Sequence, residues 1–92
     1  MTAYRMDDGT VVKTENATQN WGQEGGITNQ SGTYVERLYR SRKGRYWLER
    51  IGLEGRKDYA EWVGDHTAAL WLLEHEFELP EDLKPLESEV SE

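Results

Sequence analysis

Among residues able to do chemistry, one dense group is basic. Six of the eleven Lys and Arg lie in one short stretch: Arg37, Arg40, Arg42, Lys43, Arg45 and Arg50. They are interleaved with Tyr39, Tyr46 and Trp47 in RLYRSRKGRYWLERI. Cations beside aromatic rings suit two tasks. They can grip phosphates while rings stack on bases, or they can steer and orient an acidic protein partner. They also suit a solvated strand, because charge on exposed strand positions resists aggregation.

Other chemistries find little support. His66 and His75 are nine positions apart, not the i, i+4 pair of a helical zinc site. His75 with Glu74, Glu76 and Glu78 reads as a polar helix end, so no metal is expected. Cysteine is absent, and Ser31, Ser41, Ser88 and Ser91 have no activating neighbour in sequence. The glycines of GQEGG, residues 22 to 26, lack the following Lys-Ser or Lys-Thr of a phosphate loop. The expectation is a non-enzymatic protein without cofactor.

The net charge of −7 is unevenly placed. Residues 1 to 73 balance ten acids with ten bases, whereas residues 74 to 92 hold eight acids and one Lys. The chain is a neutral body with an acidic end, and such ends are commonly solvated and disordered. No apolar run approaches the ~20 residues of a membrane span. With no leader-like stretch and no cysteine, a cytoplasmic protein is expected.

The elements that must position the basic stretch divide the chain into 1–32, 33–79 and 80–92. Residues 1 to 32 are polar, with one alternating stretch, Thr10 to Thr14, that reads as an edge strand. NATQNWGQEGGITNQSG reads as a long loop pinned by Trp21 and Ile27. TYVERLYRS and RYWLERIG flank Lys43-Gly44 and predict an antiparallel hairpin. Gly44 supplies the positive φ that a tight turn needs. LEGR is a second turn, and KDYAEWV a third strand. HTAALWLLEHEF predicts the helix, with Asp65 as N-cap and a stripe of Ala69, Leu70, Leu73 and Phe77 widened by Ala68, Trp71 and Leu72. Pro80 is expected to end it, and 80–92 to be a disordered tail. The fold class is α+β: a small antiparallel β-meander of three or four strands packed on one amphipathic helix.

Alternation puts apolar residues on both faces of that sheet. In the first strand Tyr34 and Leu38 oppose Val35 and Tyr39; in the second Tyr46 and Leu48 oppose Trp47 and Ile51; in the third Tyr59 and Val63 oppose Trp62. One helix covers one face. The second needs the Trp21 loop, a second copy of the chain, or a partner.

The stretches LYRSRKGRYWLERIG, EWV and AALWLLEHEFELPEDL resemble those of small uncharacterised bacterial, phage and mobile-element proteins. The resemblance spans roughly residues 33 to 83. It implies strand-turn-strand, strand and helix, and carries over no catalytic residue. By size and charge the chain also suits a phage-encoded inhibitor of host defence, of the anti-CRISPR kind.

The functional expectation is a protein-binding module acting through an aromatic sheet face and the basic hairpin. Its contact residues would be Tyr39, Trp47, Trp62 and Trp21 with Arg40, Arg42, Lys43 and Arg45, and homodimerisation is a variant. The alternative is a nucleic-acid-binding hairpin whose acidic tail competes for the same arginines.

Overall fold

The computed structural model describes residues 2–23 and 26–90. The chain divides into two compact units, Met1–Trp62 and Val63–Glu92. Antiparallel strands followed by helical segments make it an α+β protein.

Among the described residues, the N-terminal hairpin comprises β1 (Ala3–Arg5) and β2 (Val11–Lys13), with Tyr4 opposite Val12. A 3-10 turn at Thr14–Asn16 redirects the chain into β3 (Gln19–Trp21), and β4 (Ile27–Thr28) follows. The meander is β5 (Tyr34–Arg40), β6 (Tyr46–Gly52) and β7 (Tyr59–Val63). Strands β3 and β4 both pair with the edge of β5 opposite to β6, giving the order β3-β5-β6-β7 with β4 beside β3. Trp21 thus stands opposite Leu38, and Ile27 opposite Glu36.

The meander falls where alternation and turn residues put it. The segment read as a long loop does not remain one: after Asn16, the last residue of the 3-10 turn, it forms two short strands. Its amides and glycines carry no apolar period because this edge is held by backbone hydrogen bonds to β5, which side-chain pattern does not record. Thr18 N–H, for example, donates to the Arg40 carbonyl at 2.8 Å. Glu24 and Gly25 of the GQEGG stretch, and Ser91, lie outside the described residues.

Both tight hairpins use one turn. Gly9 N–H donates to the Met6 carbonyl at 2.9 Å, and Met6 N–H to Thr10 at 2.7 Å. Gly44 N–H donates to Ser41 at 3.0 Å, and Ser41 N–H to Arg45 at 2.7 Å. Each is a type I turn closed by a left-handed glycine, with φ of 87° at Gly9 and 83° at Gly44. The turn residues differ in sign: Asp7 and Asp8 in one, Arg42 and Lys43 in the other.

The β5–β6 register pairs Leu38 with Leu48 and Tyr39 with Trp47, so both sheet faces are apolar and both are buried. Leu38, Tyr46 and Leu48 are buried on one face, where Trp21 lies 6.1 Å from Tyr46. On the other, Tyr39 stacks on Trp47 at 4.3 Å and 13°. That pair is covered by Met6 and Val12, with Tyr4, Ala17, Ala60 and Trp62 packed around them. The cover over the second face is therefore the β1–β2 hairpin of the same chain, not the Trp21 loop. An uncovered sheet face is no longer an argument for a second copy or a partner.

The second unit holds α1 (Asp65–Glu74), a 3-10 turn at Lys84–Leu86 and α2 (Glu87–Val90). Gly64 takes the N-cap position; Asp65 is the first helical residue and makes no capping bond. The buried side chains are Ala68, Ala69, Trp71 and Leu72, while Leu70 is 38 % exposed, so the apolar stripe is rotated from the expected one. The helix stops well before Pro80. Phe77 N–H donates to Leu72 at 2.9 Å and Glu76 N–H to Leu73 at 3.1 Å, around a left-handed Glu76 of φ 63°. This is a Schellman ending with glutamate where glycine is usual, which is why no sequence signal marked it. Phe77 then stacks on Trp71 at 5.9 Å. The segment expected to be a disordered tail carries both later helical turns and buries Leu83.

Among the described residues no helix is long and apolar enough to cross a membrane.

Candidate binding site

Two of the six clustered cations are neutralised within the sheet. Arg50 bonds the Glu36 carboxylate opposite it at 2.9 Å and also Glu61 on β7, making a ladder across three strands. Its Cζ lies 5.6 Å from the Tyr59 ring. These acceptors hold the Arg50 guanidinium charged despite the opposing effect of burial. On the other face Arg37 stands opposite Glu49, with 3.7 Å between charged atoms.

Glu49 is only 3 % exposed, so its charge must be met internally. Tyr4 donates to Oε2 at 2.6 Å and Tyr39 to Oε1 at 2.9 Å. Both hydroxyls are held above their ordinary pKa, first by burial and then, for Tyr4, by that bond to Glu49. The Tyr4 bond fastens the covering hairpin to the sheet.

Four cations remain toward the hairpin tip. Arg40 sits apart, on the Leu38 face, and donates to Thr18 Oγ1 at 3.3 Å. Arg42, Lys43 and Arg45 meet Lys13 from β2 around one cleft. They edge a cleft of about 260 Å³ whose floor includes Val12, Ala17, Trp47 and Trp62. No carboxylate lines it. Arg42 Nη2 spans to Asn16 Oδ1 at 3.1 Å, linking the β5–β6 tip to the turn after β2.

The acidic tip of the first hairpin meets the basic rim of the second. Arg45 Cζ lies 3.8 Å from the centroid of the Trp62 ring. Asp8 Oδ2 is 3.6 Å from Arg45 Nη1, and Trp62 Nε1 donates to Asp8 Oδ1 at 3.4 Å. Asp8 also accepts the Thr10 amide at 3.0 Å. Its pKa falls from 3.8 to about 2, chiefly through the hydrogen bonds from Thr10, with Trp62 and Arg45 adding smaller effects.

Of the residues expected to contact a partner, Arg42, Lys43, Arg45, Trp47 and Trp62 come together at the cleft. Arg40 and Trp21 lie elsewhere, and Tyr39 is in the core. Trp47 is 1 % exposed and Tyr39 3 %, so in this conformation they support the site from beneath instead of offering surface. Sequence reasoning missed Lys13, Asn16 and Asp8. Its one available signal was the matching turn spelling of MDDGT and SRKGR, which announces a first hairpin. Sequence reasoning also did not pair Arg37 with Glu49 or Arg50 with Glu36, pairs that counting outward from the Gly44 turn gives.

Among the described residues no group of three or more His, Asp or Glu is placed to hold a metal ion. No protein-family model matches the chain, and neither does any curated protein or solved structure.

Proposed function

We propose that the chain is a non-enzymatic module that binds a protein partner through the cleft between its two hairpins. One observation carries this reading: Lys13, Arg42, Lys43 and Arg45 edge a cleft without a carboxylate in its wall, in a chain of net charge −7. Cations kept together against that background raise the local potential and steer association. Half-buried Trp62 supplies the apolar anchor such interfaces concentrate around. We take the module to act in the cytoplasm, as an inhibitor or accessory factor of a phage or mobile element. That narrower role rests on size, charge and cysteine-free composition.

The test compares the wild-type chain with Arg42→Glu/Lys43→Glu in affinity purification from its native cells, with circular dichroism to check the fold. A partner protein retained by the wild type and lost by the folded variant is expected. Equal retention by both would overturn the reading. So would nucleic acid as the retained species, with binding that weakens steeply as salt rises.

A further inference from the structure

We infer that the cleft takes an acidic peptide segment of the partner, carrying an apolar side chain beside its carboxylates. The inference rests on the proposed function and names the ligand chemistry of the same site.

The chain already displays this recognition at the rim. Asp8 places one carboxylate oxygen 3.4 Å from the Trp62 indole nitrogen and the other 3.6 Å from Arg45. A carboxylate here thus meets a cation and a ring N–H together. Arg45 is already occupied by Asp8. The others are not so matched: Lys13 and Lys43 have no ion-pair partner among the described residues, and Arg42 bonds only the neutral amide of Asn16. Three cations from two different hairpins therefore line one cleft and lack a counter-charge. Between them the floor is apolar, from Val12, Ala17 and the two tryptophans. A volume of about 260 Å³ admits one large side chain with its neighbouring backbone. An apolar residue seated on that floor would set flanking carboxylates toward Lys13 from one hairpin and Arg42 with Lys43 from the other.

A nucleic-acid strand fits this arrangement less well. Strand-binding grooves track several nucleotides with successive stacking rings. Here Tyr39 and Trp47 are interior, leaving Trp62 as the half-exposed ring of the cleft. The net charge of −7 repels any anion at long range, and a strand charged at every nucleotide more than a short acidic segment.

The experiment titrates the full chain with the synthetic peptide Asp-Glu-Phe-Asp-Glu, blocked at both ends, by calorimetry. Comparison ligands are its amide counterpart Asn-Gln-Phe-Asn-Gln, the version with Ala for Phe, and a short oligothymidylate. Saturable binding of the acidic Phe peptide is expected, with Lys13→Glu and Lys43→Glu each weakening it at least about fivefold. Both comparison peptides should bind more weakly than the parent. Oligothymidylate binding as tight as the peptide, or peptide binding indifferent to both substitutions, would overturn the inference. If no peptide binds while charge reversal still abolishes partner retention, the ligand class is wrong and the cleft reading stands. If partner retention also survives charge reversal, both fail.

Discussion

Tyr4 and Glu49 are 45 positions apart in the chain and share a hydrogen bond of 2.6 Å. This contact joins the first strand to the middle of the sheet and closes the face that holds Tyr39 and Trp47. A buried carboxylate accepting two tyrosine hydroxyls, with an arginine opposite, specifies where the hairpin sits more tightly than its few apolar contacts would.

Removing the Tyr4 hydroxyl leaves Glu49 with Tyr39 and Arg37. Tyr4→Phe should destabilise the fold by about 1–2 kcal/mol, measured by urea unfolding. Glu49→Leu should cost more, about 3–5 kcal/mol, because it strands Arg37 and both hydroxyls. Equal, small effects would mean that the hairpin is held by apolar contact alone.

The Asp8 latch depends on pH in a defined direction. Its folded pKa of about 2 lies below the ordinary 3.8, so its stabilising effect is complete above the ordinary value and is lost as pH falls toward 2. NMR shifts of the Trp62 indole proton should move over that window. In Asp8→Asn that movement should be absent.

Arg45 and Trp62 should be energetically coupled. A double-mutant cycle with Arg45→Met and Trp62→Leu should give about 0.5–1 kcal/mol of interaction free energy, the range of an exposed cation–π pair. A coupling near zero would mean that Arg45 is placed by Asp8 alone.

Among the described residues, two glutamates occupy left-handed backbone. Glu76 ends α1 at φ 63°, and Glu54, at φ 55°, precedes Gly55 in a turn closed by Arg56 N–H to Leu53 at 3.2 Å. A side chain in this region costs roughly 1–2 kcal/mol that glycine avoids, offset partly by glycine's greater freedom when unfolded. Glu76→Gly and Glu54→Gly should each raise stability by about 0.5–1 kcal/mol, seen as a higher Tm. Destabilisation would show that the glutamate side chains hold contacts that outweigh the strain.

Arg42 and Lys43 are exposed at the hairpin tip. Reversing either charge should change stability by no more than about 0.5 kcal/mol, so these substitutions report on binding. Trp47→Ala would not: at 1 % exposure its loss should cost about 3–5 kcal/mol and unsettle the whole sheet.

The amino-acid sequence by itself determined the meander, the Gly44 turn, the two-faced sheet and the existence of the helix. Each is written in local periodicity or turn chemistry, within a few residues of where it acts. Sequence also marked the basic stretch, but not which of its members are free. Pairing across strands consumes Arg37 and Arg50, and burial removes Tyr39 and Trp47 from the surface. Only the tertiary structure decided that β3 and β4 complete the β5 edge, that the polar N-terminus folds back as a cover, and that Lys13 and Asp8 join the hairpin tip. Those outcomes rest on backbone hydrogen bonds and on a few side chains tens of residues apart. Backbone bonds are alike for every residue type, and a lone Tyr or Asp carries no mark of the distant group it will meet.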